Sequence, residues 1–293
     1  MNTRNLRFKS NRVRDIISLY HEELDALYGS GEVNVFCEML FEAFLGWDKV
    51  RLLTSKEETI DQSDMLRFHW ALEDLKRQRP IQHIIGYTDF CGCRIEVSPD
   101  VLVPRPETEE IVNWIIDYRS SLTTHHCLDL CTGSGCIAIA LKKAFPTADV
   151  TAVDVSPKAL EMARQNAKNN GVEVQFVEGD VLGGVDGLSG SYGLIVSNPP
   201  YVCDSERAQM QRNVLDYDPA LALFVPNEDP LRFYKAIAAI ATKHLAPKGM
   251  LVVEINEALA EETCALLREH SFVPKVHDDF RGKQRWISAV WNQ

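Results

Sequence analysis

An apolar run, Leu194 to Ser197, ends in Asn198-Pro199-Pro200-Tyr201, and these residue types suit one kind of chemistry. Proline lacks the N–H that a sheet ladder needs, so a central strand cannot continue past Asn198. Asn198 offers a side-chain carbonyl as an acceptor, and stiff Pro199 and Pro200 fix the direction of the backbone carbonyls around them. Two such acceptors can hold both hydrogens of a planar –NH2 group, and Tyr201 can stack on its flat face. An amide or aniline-type nitrogen is a poor nucleophile because its lone pair is delocalised. Fixing its hydrogens aims that lone pair, and no strong base is required because the N–H becomes acidic as the new bond forms. The plainer alternative is a strand stopped by a Pro-Pro turn.

Three further groups carry chemistry. Asp129-Leu130-Cys131-Thr132-Gly133-Ser134-Gly135 lies where a short buried strand gives way to a helix. Glycine there lets the backbone approach a ligand, and the helix N-terminus adds N–H groups and partial positive charge. Asp154, at the tip of the next strand, can accept from both hydroxyls of a ribose. Asp180, after the third strand, can accept from an exocyclic amine such as adenine N6, with Val181 and Leu182 walling the base. Taken singly, a turn glycine, a capping acid and a turn aspartate account for these. Together they indicate a bound nucleoside. The dinucleotide fingerprint stays open at this point, since Ala138 at its third glycine position is tolerated.

The elements that must position these residues follow from periodicity. Residues 1–84 are predicted to form a small helical bundle, with apolar residues at helical spacing from Val13 to Leu27, from Phe36 to Phe44 and from Met65 to Leu75, and with Asn34 as an N-cap. Residues 85–104 read as a hairpin around Gly92 that joins two domains. From 105 to 293 strands alternate with helices, which predicts an α/β domain with a mostly parallel sheet covered on both faces. Ser156-Pro157 opens one of its helices as N-cap and first residue.

The chain has 293 residues, 45% hydrophobic and 25% charged, a composition that supports a sizeable core. Its formal net charge of −11 disfavours non-specific binding to phosphate backbones, which depends on Lys and Arg. Arg4, Arg7, Lys9, Arg12 and Arg14 form a local exception, read as a solvated helix face. None of the eight cysteines forms a CxxC pair and no His cluster has zinc-ligand spacing, so no metal site is expected and a reducing compartment fits. No apolar signal core or membrane-spanning run is present, and a cytoplasmic protein is expected.

With DLCTGSG and VDVS upstream, Asn-Pro-Pro-Tyr resembles the S-adenosylmethionine-dependent amino methyltransferases of the Rossmann-like class I fold, with a seven-stranded sheet. GYTDFCGCRIEVSPDVLVPRPETEE, YDPALAL and DDFRGKQRWI narrow the resemblance to the protein-(glutamine-N5) methyltransferase family, across nearly the whole chain. The resemblance implies S-adenosyl-L-methionine as cofactor, and as protein substrate the class-1 peptide chain release factors, methylated on the glutamine of their Gly-Gly-Gln motif. It implies that Cys131, Thr132, Gly133, Ser134 and Gly135 surround the methionine part of the cofactor. Asp154 would bind its ribose, and Asp180 and Val181 would border its adenine. Asn198 would lie beside both cofactor and substrate, and Asn198, Pro199, Pro200 and Tyr201 would bind the glutamine amide, with Asn198, Pro199 and Tyr201 acting in catalysis. Arg105 and Glu107 fall in a signature segment with no role assigned. The bundle would take part in substrate recognition.

Two departures from the family pattern carry expectations. Cys131 stands where many relatives have glycine, which predicts a negative φ there. The fifth strand ends in EINEALAEE where the family commonly has Gly and later Gln, and this end is expected to face outward. The nearest rival is an adenine-N6 DNA methyltransferase, because Asn-Pro-Pro-Tyr suits that amino group equally; such an enzyme must flip the base and grip phosphates, and this acidic chain has no long basic segment. A nicotinamide oxidoreductase has no use for Asn-Pro-Pro-Tyr. A non-catalytic cofactor-binding scaffold has no need of an intact Asn198.

Overall fold

The structure, a computed structural model, describes residues 8–118 and 126–291. Its contacts divide into two units: one holds the described residues up to Gly86 together with Arg212–Tyr217, and the other holds Tyr87–Gln211 and the chain from Asp218 onward.

Apolar spacing of three and four residues builds the first unit from helices α1 (Val13–Tyr28), α2 (Ser30–Leu45), α3 (Lys49–Thr54), α4 (Gln62–Lys76) and α5 (Ile81–Ile85). Ile16, Tyr20, Leu40, Phe41, Phe68 and Leu72 meet in its core. Asn34 is not an N-cap. Helix α2 begins at Ser30, straight after Gly29 at φ +83°, and the Asn34 side chain donates to the Ser30 carbonyl inside the helix. The break is the single residue Gly29; Gly29-Ser30-Gly31 reads as a loop, which moved the expected helix start to Asn34. Arg12 and Arg14 pair with Glu57 at the surface, while Arg4 and Arg7 lie outside the described residues.

The second unit begins with a hairpin, β1 (Tyr87–Phe90) and β2 (Cys93–Glu96), followed by α6 (Pro106–Asp117). Alternation then runs β3 (His126–Leu130), α7 (Cys136–Ala144), β4 (Asp149–Asp154), α8 (Pro157–Asn169), β5 (Gln175–Glu178) and β6 (Tyr192–Ser197). After β6 come the short β7 (Val202–Cys203), then α9 (Arg212–Tyr217), which is grouped with the first unit, and β8 (Phe224–Val225). The chain closes with α10 (Arg232–His244), β9 (Leu245–Glu254), α11 (Ala260–Glu269), β10 (Phe272–Asp278) and β11 (Gln284–Trp291).

The main sheet has seven strands in the order β10-β11-β9-β6-β3-β4-β5. Strands β3, β4, β5, β6 and β9 are parallel, and β11 runs antiparallel to its two neighbours. Helices α6, α7 and α8 and the hairpin cover one face through Ile111, Ile115, Ile137, Leu141, Phe90 and Ile95. Helices α10 and α11 cover the other through Tyr234, Ile237, Ala241 and Leu267. Because both faces are covered, every residue of β6 is buried, which is why that strand reads as a continuous apolar run rather than an alternating one. The chain leaves β3 in one direction for β4 and β5, then returns to its other side with β6. The crevice beyond the carboxyl ends of β3 and β6 is therefore the topological switch point where such sheets bind ligands.

The expected hairpin is present and lies in the second unit. Asn166 of α8 donates to the Glu96 carbonyl and accepts from the Glu96 N–H, and Lys143 of α7 donates to the Gly92 carbonyl. No helix among the described residues is long and apolar enough to cross a membrane.

Candidate active site

Five strands deliver side chains to the switch-point crevice. Beyond β3 the backbone turns into α7 with Cys131, Gly133 and Gly135 all at positive φ, +62°, +53° and +80°. The expectation of a negative φ at Cys131 is wrong. The loop must fold back so that the Thr132 N–H reaches the Val153 carbonyl of β4, and that turn forces residue 131 into the left-handed region. A non-glycine residue there costs about 1–2 kcal/mol, set against packing of the Cys131 side chain on the α10 side of the sheet. Burial, then Asp154 and Asp129, push its thiol far above the ordinary range, so it is an inert small apolar group.

Asp154 braces this loop. One carboxylate oxygen accepts from the Gly133 N–H at 2.8 Å and the other from the Ser156 N–H at 2.9 Å. Burial raises its pKa, and the backbone N–H groups oppose that rise. An ionised carboxylate has about four acceptor positions, so acceptor capacity remains for a ligand. Asp180 accepts from the Leu182 N–H at 2.9 Å and caps the single turn that carries Val181. Beneath the loop, Asp129 is fully buried; one oxygen accepts from the Thr132 hydroxyl at 2.6 Å and the Ala138 N–H at 3.2 Å, while the other has no partner among the described residues. Burial lifts its pKa to about 7.

At the end of β6, the Asn198 Nδ2 donates to the Thr108 hydroxyl at 3.1 Å, and that hydroxyl donates to Glu254 Oε2 at 2.7 Å. Tyr201 donates to Glu254 Oε1 at 2.9 Å, and Tyr234 to the Glu254 carbonyl at 3.0 Å. Asn198 Oδ1 makes no hydrogen bond among the described residues. The expectation that EINEALAEE faces outward holds for Glu257, Ala258, Glu261 and Glu262, which are exposed, and is overturned for Glu254, Ile255 and Asn256, which are buried. Glu254 is 2% exposed and gathers Thr108 and Tyr201 around one carboxylate, and Asn256 donates to the Tyr201 carbonyl and to Glu206. Burial raises the pKa of Glu254; the two hydroxyls and Arg285 oppose that rise.

Thr108 and Glu254 are the residues that sequence reasoning missed. Glu254 carried the same signal as Asp154, an acid at the tip of a buried strand. Thr108 lies one turn into α6, inside the PRPETEE segment. Arg105, just before that helix, lines the crevice and donates to the buried Asp218, which joins the segment before α6 to the one after α9. Glu107 lies in the first turn of α6.

The crevice encloses a cavity of about 350 Å³. Cys131, Thr132, Gly133, Ser134, Asp154 and Asp180 line it, as do Val181, Asn198 and Pro200. Gly135, Pro199 and Tyr201 stand behind this lining: Gly135 packs on α8, Pro199 is buried, and Tyr201 is held by its hydroxyl.

Two families match by profile. Residues 115–216 match the Methyltransferase small domain, and residues 22–86 match the PrmC N-terminal domain. The release factor glutamine methyltransferase of Flavobacterium psychrophilum is 40% identical over 281 residues, which is 94% of this chain and 98% of that protein. The protein of the same name from Bacteroides thetaiotaomicron is 39% identical over 276 residues, with the same coverage of both chains. The chain belongs to the release factor glutamine methyltransferase family. Among solved structures, a methyltransferase from Pyrococcus furiosus shares the fold: the TM-score is 0.51 at 22% identity, over 68% of this chain and 88% of that one.

As a methyltransferase of this family the protein uses S-adenosyl-L-methionine, and the cavity fits that molecule. Its volume is within the range of ligand pockets. Asp154 has free acceptor positions for a ribose, and Val155, Val181 and Leu182 supply apolar walls for a base. The buried Ser134 hydroxyl has no hydrogen-bond partner of ordinary geometry among the described residues. Gly133 leaves open space where a Cβ would stand, so backbone meets the cavity directly.

Proposed function

We propose that the protein methylates the side-chain amide nitrogen of the glutamine in the Gly-Gly-Gln motif of class-1 peptide chain release factors. The observation that carries this reading is the state of Asn198 at the cavity: its NH2 end is held from behind by Thr108, and its Oδ1 has no hydrogen-bond partner among the described residues. S-adenosyl-L-methionine bound there supplies an electrophilic methyl group on a positively charged sulfur. The protein's part is to bind, orient and exclude water. Asn198 Oδ1 accepts one amide hydrogen of the glutamine, and a backbone carbonyl beside Pro199 and Pro200 accepts the other. The nitrogen lone pair then points along the line of transfer. Tyr201, clamped by Glu254, keeps the segment in place beside the amide. Cys131, Thr132, Gly133, Ser134 and Gly135 shape the loop around the methionine part, Asp154 takes the ribose, and Asp180 with Val181 takes the adenine. Catalysis is then mostly positioning and desolvation.

The helical unit takes part in recognising the release factor. The substrate is a cytoplasmic translation protein, so the enzyme acts in the cytoplasm. No observation favours the adenine-N6 alternative over this reading.

Asn198→Ala tests the site. Turnover on the release factor should fall about 100-fold or more, because an unaimed nucleophile loses the benefit of orientation, while cofactor affinity, measured by calorimetry, stays near that of the wild type. Unchanged turnover would remove Asn198 from the reaction.

A further inference from the structure

An asparagine amide is nearly symmetric in shape, so Asn198 could turn either its oxygen or its NH2 toward the cavity. Only the oxygen suits a substrate NH2 group. The mechanism proposed above uses that orientation without explaining what enforces it.

We propose that Glu254, acting through Thr108, sets the polarity of the Asn198 amide, so that the site accepts a glutamine amide and rejects a carboxylate. This rests on the glutamine reading of the site. Glu254 and Thr108 are positioning residues, each 2% exposed. An ionised carboxylate only accepts hydrogen bonds. Glu254 Oε2 lies 2.7 Å from Thr108 Oγ1, and Glu254 Oε1 lies 2.9 Å from the Tyr201 hydroxyl, so both oxygens face a hydroxyl donor. Threonine has one hydroxyl hydrogen. Once it is given to Glu254, only lone pairs of Oγ1 face Asn198. At 3.1 Å those lone pairs can accept from an NH2 group and would repel a carbonyl oxygen. The amide is thereby locked with Nδ2 toward Thr108 and Oδ1 toward the cavity. The reverse orientation would set two oxygens against each other at Thr108, or strip the buried Glu254 Oε2 of its donor. Burial, the largest influence on Glu254, raises its pKa; the Thr108 and Tyr201 hydroxyls and Arg285 of β11 favour the charged carboxylate against that, and Glu107 of α6 disfavours it.

The consequence is selectivity. A fixed oxygen acceptor pairs with the NH2 of glutamine and opposes the oxygen of glutamate. The test compares binding of the release factor with that of its Gly-Gly-Glu variant, for the wild-type enzyme, Thr108→Val and Thr108→Ser, in full-length proteins. Turnover and cofactor affinity are measured alongside. The wild type should prefer the glutamine form. Thr108→Val frees the amide to turn, and the preference should shrink by about tenfold or more, the scale of one mispaired buried polar group, with kcat lowered and cofactor affinity kept. Thr108→Ser restores the hydroxyl and should restore the preference. If the valine variant is unfolded, Thr108→Val/Glu254→Gln removes the relay without leaving an unpaired buried charge and is expected to lose the same preference. A wild-type preference that survives in the folded valine or double variant would overturn the relay and leave the glutamine reading intact. Absence of methyl transfer to the release factor by the wild type would instead overturn the glutamine reading and the relay with it.

Discussion

Asp129 shows how far burial alone can change a side chain in this site. It lies in β3 directly beneath the loop, with one oxygen bonded and the other without a partner among the described residues. Its pKa in the fold, about 7, is above the ordinary 3.8. Between those values the folded state holds a proton that the unfolded chain has released. Stability associated with Asp129 is therefore complete below about pH 4 and is lost as pH rises toward about 7. Asp129→Asn, which cannot ionise, should flatten the fall in urea stability across that window. Equal slopes in the two proteins would mean that the carboxyl is not buried in this way. Asp154 and Asn198 were legible in the sequence because each is a polar residue ending an apolar run. Cys131 was not, since a positive φ depends on where the Thr132 N–H must go. Nor was the role of Glu254, whose partners lie 146 and 53 residues away in the chain.

Each element earns its place by what it puts at one edge of the sheet. Strands β3, β4, β5, β6 and β9 deliver Cys131, Asp154, Asp180, Asn198 and Glu254 to the same side because they are parallel. The close approach of α7 and α8 depends on Gly135. A Cβ there would sit 2.9 Å from the Ala163 Cβ, and φ is +80°. Gly135→Ala should lower stability by roughly 2–4 kcal/mol, from strain and overpacking together. Gly133→Ala, at φ +53° with open space around it, should show only the strain, about 1 kcal/mol. Thermal unfolding of the two variants checks the order, and equal losses would contradict it. Most of the strands and helices were legible from period and from caps such as Ser156 with Pro157, whose side chain accepts from the Ala159 N–H. The start of helix α6 is harder to read, because Pro104 and Pro106 interrupt the pattern there, although Pro106 stands at the first helical position, where its missing N–H costs nothing.

At the scale of the whole molecule, strand order makes the site. Reversal at β3 opens a crevice between β3 and β6, and DLCTGSG and Asn-Pro-Pro-Tyr fall in the two loops that border it. Alternation of strands and helices made the parallel sheet legible, and the family resemblance supplied its likeness to the class I methyltransferases. The single antiparallel strand, β11, could not be read from its own residues, because direction within a sheet is set by connections and not by side-chain pattern. The most direct measurement is the intact mass of a release factor after incubation with this protein and S-adenosyl-L-methionine, beside a Gln→Ala variant of its Gly-Gly-Gln loop. One added methyl group on the native factor and none on the variant is the expected result. An unmodified native factor, with methyl transferred to DNA or RNA in a parallel incubation, would contradict the glutamine assignment.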